Sequence, residues 1–242
     1  MTLKKSLLSI PIIRSVYQNL NNQYVRDEFV KSQLRGLKSG SIILDAGCGS
    51  QRYRQDCNHL NYRSQDFGQY SNDLKESLGT DLLGGSEGYS YGQIDYLGNI
   101  WQIEERDETF DAILCTEVFE HIPYPNETIA EFSRLLKPNG VLILTAPSNC
   151  LRHMDPYFFY TGFTDRWYET ILAKNHFLIA NLEPVGDYYS WLSVELARAA
   201  RHAGFFARLA LLPAFIYFYC KKRTIASVNT LCMGYHIAAI KK

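Results

Sequence analysis

The chain has 242 residues, 25 Lys+Arg balanced by 25 Asp+Glu, and 46% hydrophobic residues. That length and composition suffice for a full hydrophobic core, which excludes intrinsic disorder as the main state. Zero net charge excludes nucleic-acid binding by bulk electrostatics, which needs a net basic face.

Residues 1–13 place Lys4 and Lys5 ahead of Leu7, Leu8, Ile10, Ile12 and Ile13, the outline of a signal peptide. Pro11 interrupts the apolar stretch, Arg14 follows it and no small-x-small cleavage site is in view, so the segment reads as a docking segment of a cytoplasmic protein. The six cysteines, Cys48, Cys57, Cys115, Cys150, Cys220 and Cys232, form no C-x-x-C pair, and no histidine cluster has zinc spacing. Scattered cysteines fit a reducing cytoplasm, and no metal ligand set is expected.

A helix is expected over 15–38, with Val16, Leu20, Tyr24, Leu34 and Leu37 on one face and Ser39-Gly40 ending it. Ile42-Ile43-Leu44 then runs into Asp45-Ala46-Gly47-Cys48-Gly49-Ser50, a buried strand entering a Gly-rich turn. A helix over Tyr53–Leu60 and a second strand over Tyr62–Gln65 follow, ending at Asp66. The polar, Gly-rich stretch 67–90 is long for a connection and reads as a lid or a partly disordered segment. Strands are expected at Ile94–Leu97, Phe110–Cys115 and Val141–Thr145, the last buried on both faces. Between the latter two, a helix is capped by Asn126, presents Ile129, Phe132, Leu135 and Leu136, and is stopped by Pro138 and Asn139-Gly140. A helix over Thr164–Lys174 and late strands at Phe177–Leu182 and Met233–Ile240 complete an alternating pattern that specifies a doubly wound α/β sheet.

The Gly-rich turn carries the chemistry. Glycines let the backbone approach a ligand closely, and Asp66, twenty-one residues after Asp45, stands where an acid can accept both ribose hydroxyls. A dinucleotide site wants Gly-x-Gly-x-x-Gly, whose third glycine is Arg52 here. That bulk disfavours a pyrophosphate at the helix start and favours a nucleoside without a diphosphate over NAD.

Four stretches in order, IILDAGCG (Ile42–Gly49) with Asp66, GNIWQI (Gly98–Ile103), FDAILCTEVFEHI (Phe110–Ile122) and LLKPNGVLILTAP (Leu135–Pro147), resemble the class I S-adenosylmethionine-dependent methyltransferases, in particular the UbiE-like type 11 group. The resemblance spans about residues 40–185. It implies a Rossmann-like, seven-stranded, mostly parallel sheet with helices on both faces, its last strand antiparallel, and S-adenosyl-L-methionine as cofactor. The cofactor-binding residues it implies are Asp45, Ala46, Gly47, Cys48, Gly49, Asp66, Phe67, Asn99, Ile100 and Cys115. Asn99 departs from the family's usual Asp, but its side-chain carbonyl can still accept from the adenine amino group. Cys115 is expected to contribute backbone only.

Methyl transfer from a sulfonium needs positioning more than acid–base machinery, so the lack of a Ser-His-Asp or metal signature is in keeping. A neutral nucleophile can still need a base. His153, after the fifth strand at the carboxyl edge of the sheet, is the candidate, its bland reading being a structural loop histidine. Glu117, Glu120 and His121 follow the fourth strand, and His121, which resembles the family's Glu-His pair, reads as packing or capping locally. The acceptor is read as a small molecule, a sugar or a lipid-linked intermediate, with no nucleic acid. The rival readings are an aminopropyl-transferase-like use of the same fold and a non-catalytic binding module.

The domain reading is a single domain over 1–242: a helical cap (1–40), a cofactor-binding core (41–185), a helical insertion (191–222) and a final strand (232–241). Within the insertion, Leu209–Cys220 is uncharged but only twelve residues long and contains Pro213, whereas a membrane span needs about 20 apolar residues. It reads as a buried or roofing helix over the site, together with 150–165, or as a peripheral membrane contact through 205–223, with Lys221, Lys222 and Arg223 at its end.

Overall fold

The computed structural model describes residues 22–70 and 90–242. Residues 15–21 of the expected first helix and most of the expected lid, 71–89, lie outside the described residues. The chain forms two compact units. Among the described residues, one comprises 31–70, 90–183 and 234–242, and the other 22–30 and 184–233.

In chain order the elements are α1 (Asn22–Gly36), β1 (Ile42–Ala46), β2 (Asn61–Asp66), β3 (Tyr96–Leu97), β4 (Phe110–Thr116), α2 (Pro125–Leu135), β5 (Leu136–Pro147), α3 (Asp165–Lys174), β6 (Phe177–Val185), α4 (Tyr188–Arg201), α5 (Phe205–Tyr219), α6 (Ile225–Thr230) and β7 (Gly234–Lys241). The seven strands form one sheet in the order β3-β2-β1-β4-β5-β7-β6. β1 pairs in parallel with β2 and β4, β4 with β5 and β2 with β3, while β7 runs antiparallel to β5. The strand order reverses about β1, so the carboxyl ends of β1, β2 and β4 open a crevice where ligands bind in such sheets.

β4 and the second half of β5 are almost wholly buried, which is why both read as continuous apolar runs rather than alternating ones. α2 buries Pro125, Thr128, Ile129, Phe132 and Leu135, one face at helical spacing, against this sheet. Phe119 lies edge-to-face near Phe163 and Trp167, with ring centroids 6.0 and 6.1 Å away, and ties α3 into the same core. The Thr164 hydroxyl caps α3 by accepting from the Trp167 N–H at 3.2 Å.

Three expected elements differ. The stretch Tyr53–Leu60 forms only a short 3-10 turn, Arg54–Cys57, with Cys57 buried beneath it. α2 begins one residue before the expected cap: Pro125 takes the first helical position, where its missing N–H costs nothing, and no side chain caps the end. Lys137–Gly140 does not separate helix from strand; it bulges within β5, between the pairs Phe110↔Leu136 and Ala112↔Val141, with Asn139 at φ 65°.

Candidate active site

The site is built at the carboxyl ends of β1, β2 and β4. β1 delivers Asp45 buried, with its Oδ2 accepting from the Tyr62 hydroxyl at 2.6 Å. Burial pushes the Asp45 carboxyl up to about 7, against the Tyr62 hydrogen bond that lowers it and with the nearby Asp66 charge adding to the rise. The chain then turns at Gly47 (φ 71°), whose N–H meets both the backbone carbonyl (2.9 Å) and the side-chain Oε1 (3.1 Å) of Gln65. A Cβ on Gly47 would lie 2.5 Å from Val118 Cγ2, so this glycine is required by the approach of the loop after β4 as well as by its own φ.

β2 delivers Asp66, also buried. Its Oδ2 accepts from the Gly49 N–H at 2.8 Å and its Oδ1 from the Gly68 N–H at 3.0 Å. One carboxylate thereby fixes the Gly-rich turn to the end of β2. Burial raises its pKa and the surrounding N–H groups oppose the rise. A carboxylate has about four lone-pair sites, so these two bonds and that from the Phe67 N–H still leave capacity for a bound hydroxyl. The loop feeds a 3-10 turn rather than an α-helix, so no helix dipole stands ready for a pyrophosphate. Buried acids beside an open glycine backbone fit a nucleoside carrying positive charge.

The other expected cofactor residues divide by exposure. Ala46, Cys48, Ile100 and Cys115 are buried, with Ile100 and Cys115 packed in the core, so any ligand contact from these two is through backbone. Phe67 is half-buried, its ring edge-to-face with Tyr157 at 4.8 Å. Asn99 is exposed just past β3. The Gly98 N–H before it donates to the Asp66 carbonyl (3.0 Å) and the Gly98 carbonyl accepts from Gln65 Nε2 (2.7 Å), which sets Asn99 beside the end of β2.

Beyond β4 the structure assembles a group that the sequence leaves scattered. A carboxylate oxygen of Glu120 and one ring nitrogen each of His121 and His153 all lie within 4.8 Å of one another. The two imidazoles meet edge-to-face at 4.6 Å. His121 Nδ1 lies 2.7 Å from the Tyr157 carbonyl and His153 Nδ1 2.8 Å from the Leu151 carbonyl. A carbonyl only accepts, so each Nδ1 carries a proton. Burial and the neighbouring His153 drive His121 down to about 4, so it is neutral near pH 7. Two imidazoles and a carboxylate form a donor set able to hold a divalent transition metal, where the sequence offered no metal spacing.

Backbone bonds bring His153 there. The Glu120 carbonyl accepts from the N–H groups of Phe159 (2.9 Å) and Tyr160 (3.2 Å), clamping the segment after β5 onto the turn after β4. Arg152 pairs with buried Asp155 at 2.8 Å within that segment. Glu117 directly follows β4 at φ 52°, its N–H bonded to the Thr145 carbonyl (2.8 Å) and its carboxylate accepting from the Thr145 hydroxyl (3.0 Å). A non-glycine residue in the left-handed region at a sheet edge is strain of the kind found at functional sites. Glu120 joins this cluster although the sequence reading gave it no role, and its local signal is the Glu-x-x-Glu-His spacing directly after a buried strand.

Residues 44–144 match the family described as a methyltransferase domain. Over this stretch, from β1 to β5, the chain is similar to a methyltransferase domain. A ubiquinone biosynthesis O-methyltransferase from Pasteurella multocida is 30% identical over 134 residues, covering 53% of this chain and 54% of that protein. The chain thus spans about half the length of the curated relatives it matches. The methyltransferase fold is shared with geranyl diphosphate methyltransferase (TM-score 0.55, 16% identity, 90% of this chain and 77% of that one). It is shared also with phosphoethanolamine N-methyltransferase 2 from Haemonchus contortus (TM-score 0.52, 15% identity, all of this chain and 60% of that one).

Proposed function

We propose that the protein transfers a methyl group from S-adenosyl-L-methionine to a hydroxyl of a small molecule, a sugar or lipid-linked acceptor included. The observation that carries this reading is Asp66, a buried carboxylate locking the Gly47–Gly49 turn while keeping acceptor capacity, at the switch point of this sheet order. The bound cofactor supplies an already activated methyl group on a sulfonium. Asp66 would hold the ribose hydroxyls, Asn99 the adenine edge, and the Gly47–Gly49 backbone the amino-acid portion, with Asp45 and Asp66 offering negative charge to a cationic ligand.

His153 is assigned as the base. Its Nδ1 proton is committed to the Leu151 carbonyl, so Nε2 takes the acceptor's proton. The Glu120 carboxylate, within 4.8 Å, favours the imidazolium that forms, and His121, being neutral, adds no positive charge against it. The O-methyltransferase relative supports a hydroxyl acceptor.

The deciding experiment is calorimetric titration with S-adenosylhomocysteine and with NAD, followed by turnover on a panel of phenols, sugars and lipid-linked alcohols. The reading expects binding of the first and methylation of a hydroxyl acceptor. Binding of NAD alone would overturn the cofactor assignment. Binding of S-adenosylhomocysteine with no turnover would favour a binding module.

A further inference from the structure

The helices between β6 and β7 carry a surface that methyl transfer does not use. α5 is FFARLALLPAFIYFY, and none of its fifteen residues is buried. Its inner positions, Leu211, Ala214, Phe215, Phe218 and Tyr219, are half-covered, and Phe218 stacks on Tyr189 of α4 at 6.3 Å. Its outer positions, Phe206, Leu209, Leu212, Ile216 and Tyr217, recur at helical spacing and are exposed, Phe206 by 83% and Tyr217 by 57%. A helix on a water-facing surface places charge on that side. Here the sole ion is Arg208, and its guanidinium turns back onto the carbonyls of Ala200, Arg201 and Ala203.

The charge lies at the two ends instead. From Glu195 to Arg223 there are six basic residues, Arg198, Arg201, Arg208, Lys221, Lys222 and Arg223, against one acid, in a chain whose net charge is zero. Lys221 Nζ sits over the Tyr217 ring at 4.5 Å, an aromatic–cation pair at the helix end. Among the described residues no helix is long and apolar enough to cross a membrane. Fifteen residues extend about 22 Å, short of a bilayer core of about 30 Å. An uncharged helix face with aromatics at both ends and flanking cations is what lies in the plane of an anionic bilayer surface, apolar side down and lysines reaching to the headgroups.

We infer that α5 is a monotopic membrane anchor whose occupant is an anionic lipid surface, the outer face from Phe206 to Tyr217 entering the acyl boundary and the flanking cations taking the headgroups. The inference stands apart from the methyl-transfer reading, since flotation requires no cofactor.

The test is flotation of the full chain with vesicles of phosphatidylcholine alone and of phosphatidylcholine mixed with phosphatidylglycerol. The wild type floats with the mixed vesicles about tenfold more than with neutral ones, and high salt narrows the gap. Phe206→Asp with Ile216→Asp abolishes flotation while helix content and melting temperature hold. Lys221→Glu with Lys222→Glu, at exposed positions, removes the anionic preference and serves should the first pair not fold. A wild type that stays with neither vesicle, that binds both equally, or whose flotation survives both double substitutions overturns the inference. So does self-association without vesicles that the Phe206 and Ile216 substitutions abolish, which would make a second copy the occupant.

Discussion

Asp66 is the residue whose loss is most informative. In Asp66→Ala the Gly49 and Gly68 N–H groups lose their acceptor and the ribose hydroxyls lose theirs, a loss on the order of 1.5–3 kcal/mol in cofactor affinity. That is roughly ten- to a hundredfold in Kd by calorimetry. Asp45 gives a different signature. Its folded pKa, about 7, is raised above the unfolded value, so its contribution to stability is fully present below about pH 4 and lost as pH rises through 7. The melting temperature of the free wild type minus that of Asp45→Asn therefore falls by several degrees between pH 4 and pH 8. The same ionisation presents charge to a cationic ligand, so cofactor affinity tightens over that rise, and a flat affinity profile would remove Asp45 from the site.

His153→Gln separates proton removal from positioning. As a base, its loss lowers kcat on the order of 10²–10⁴-fold with little change in the Kd for S-adenosylhomocysteine. Chelator treatment leaves wild-type activity unchanged under this assignment. Activity lost to a chelator and restored by a divalent ion would reassign Glu120, His121 and His153 to metal ligation.

Among the elements, the segment after β5 depends on Gly162. Its φ is 149°, and a Cβ there would lie 2.3 Å from the Ser148 carbonyl. Gly162→Ala must break the bond from Cys150 N–H to the Thr161 carbonyl and move the segment that carries His153. Kinetics should show kcat reduced at least tenfold with cofactor affinity retained, roughly 1.4 kcal/mol or more of transition-state binding. An unchanged kcat would show that this segment does not position the base. β1, β4, β5 and α2 were legible because burial writes itself into sequence as apolar runs or helical spacing. The Tyr53–Leu60 helix was misread because Cys57 and Leu60 are buried by a single tight turn, which mimics helical spacing over so few residues.

At the scale of the whole molecule, a seven-stranded, mostly parallel sheet with an antiparallel last strand was accessible through the resemblance carried by the Gly-rich turn, Asp66 and FDAILC, which lie after β1, at the end of β2 and along β4. The cluster of Glu120, His121 and His153 was not. His153 follows His121 by 32 residues, and long-range bonds, from Phe159 and Tyr160 N–H to the Glu120 carbonyl and from His121 Nδ1 to the Tyr157 carbonyl, bring them together. Long-range backbone pairing of that kind leaves no local signal in composition or periodicity. Both exposed and buried helices can be apolar, so the sequence read α5 as a buried or roofing helix or as a membrane contact, and the buried reading fails because none of its fifteen residues is buried.

The account rests on a nucleoside-cofactor site organised by Asp66. Calorimetric titration of S-adenosylhomocysteine and of NAD into the wild type and Asp66→Ala, with melting temperatures recorded alongside, tests it directly. The account predicts one S-adenosylhomocysteine per chain in the wild type, no NAD binding, and roughly ten- to a hundredfold weaker binding in a folded Asp66→Ala. NAD binding in its place, or S-adenosylhomocysteine affinity unchanged by Asp66→Ala, would contradict it.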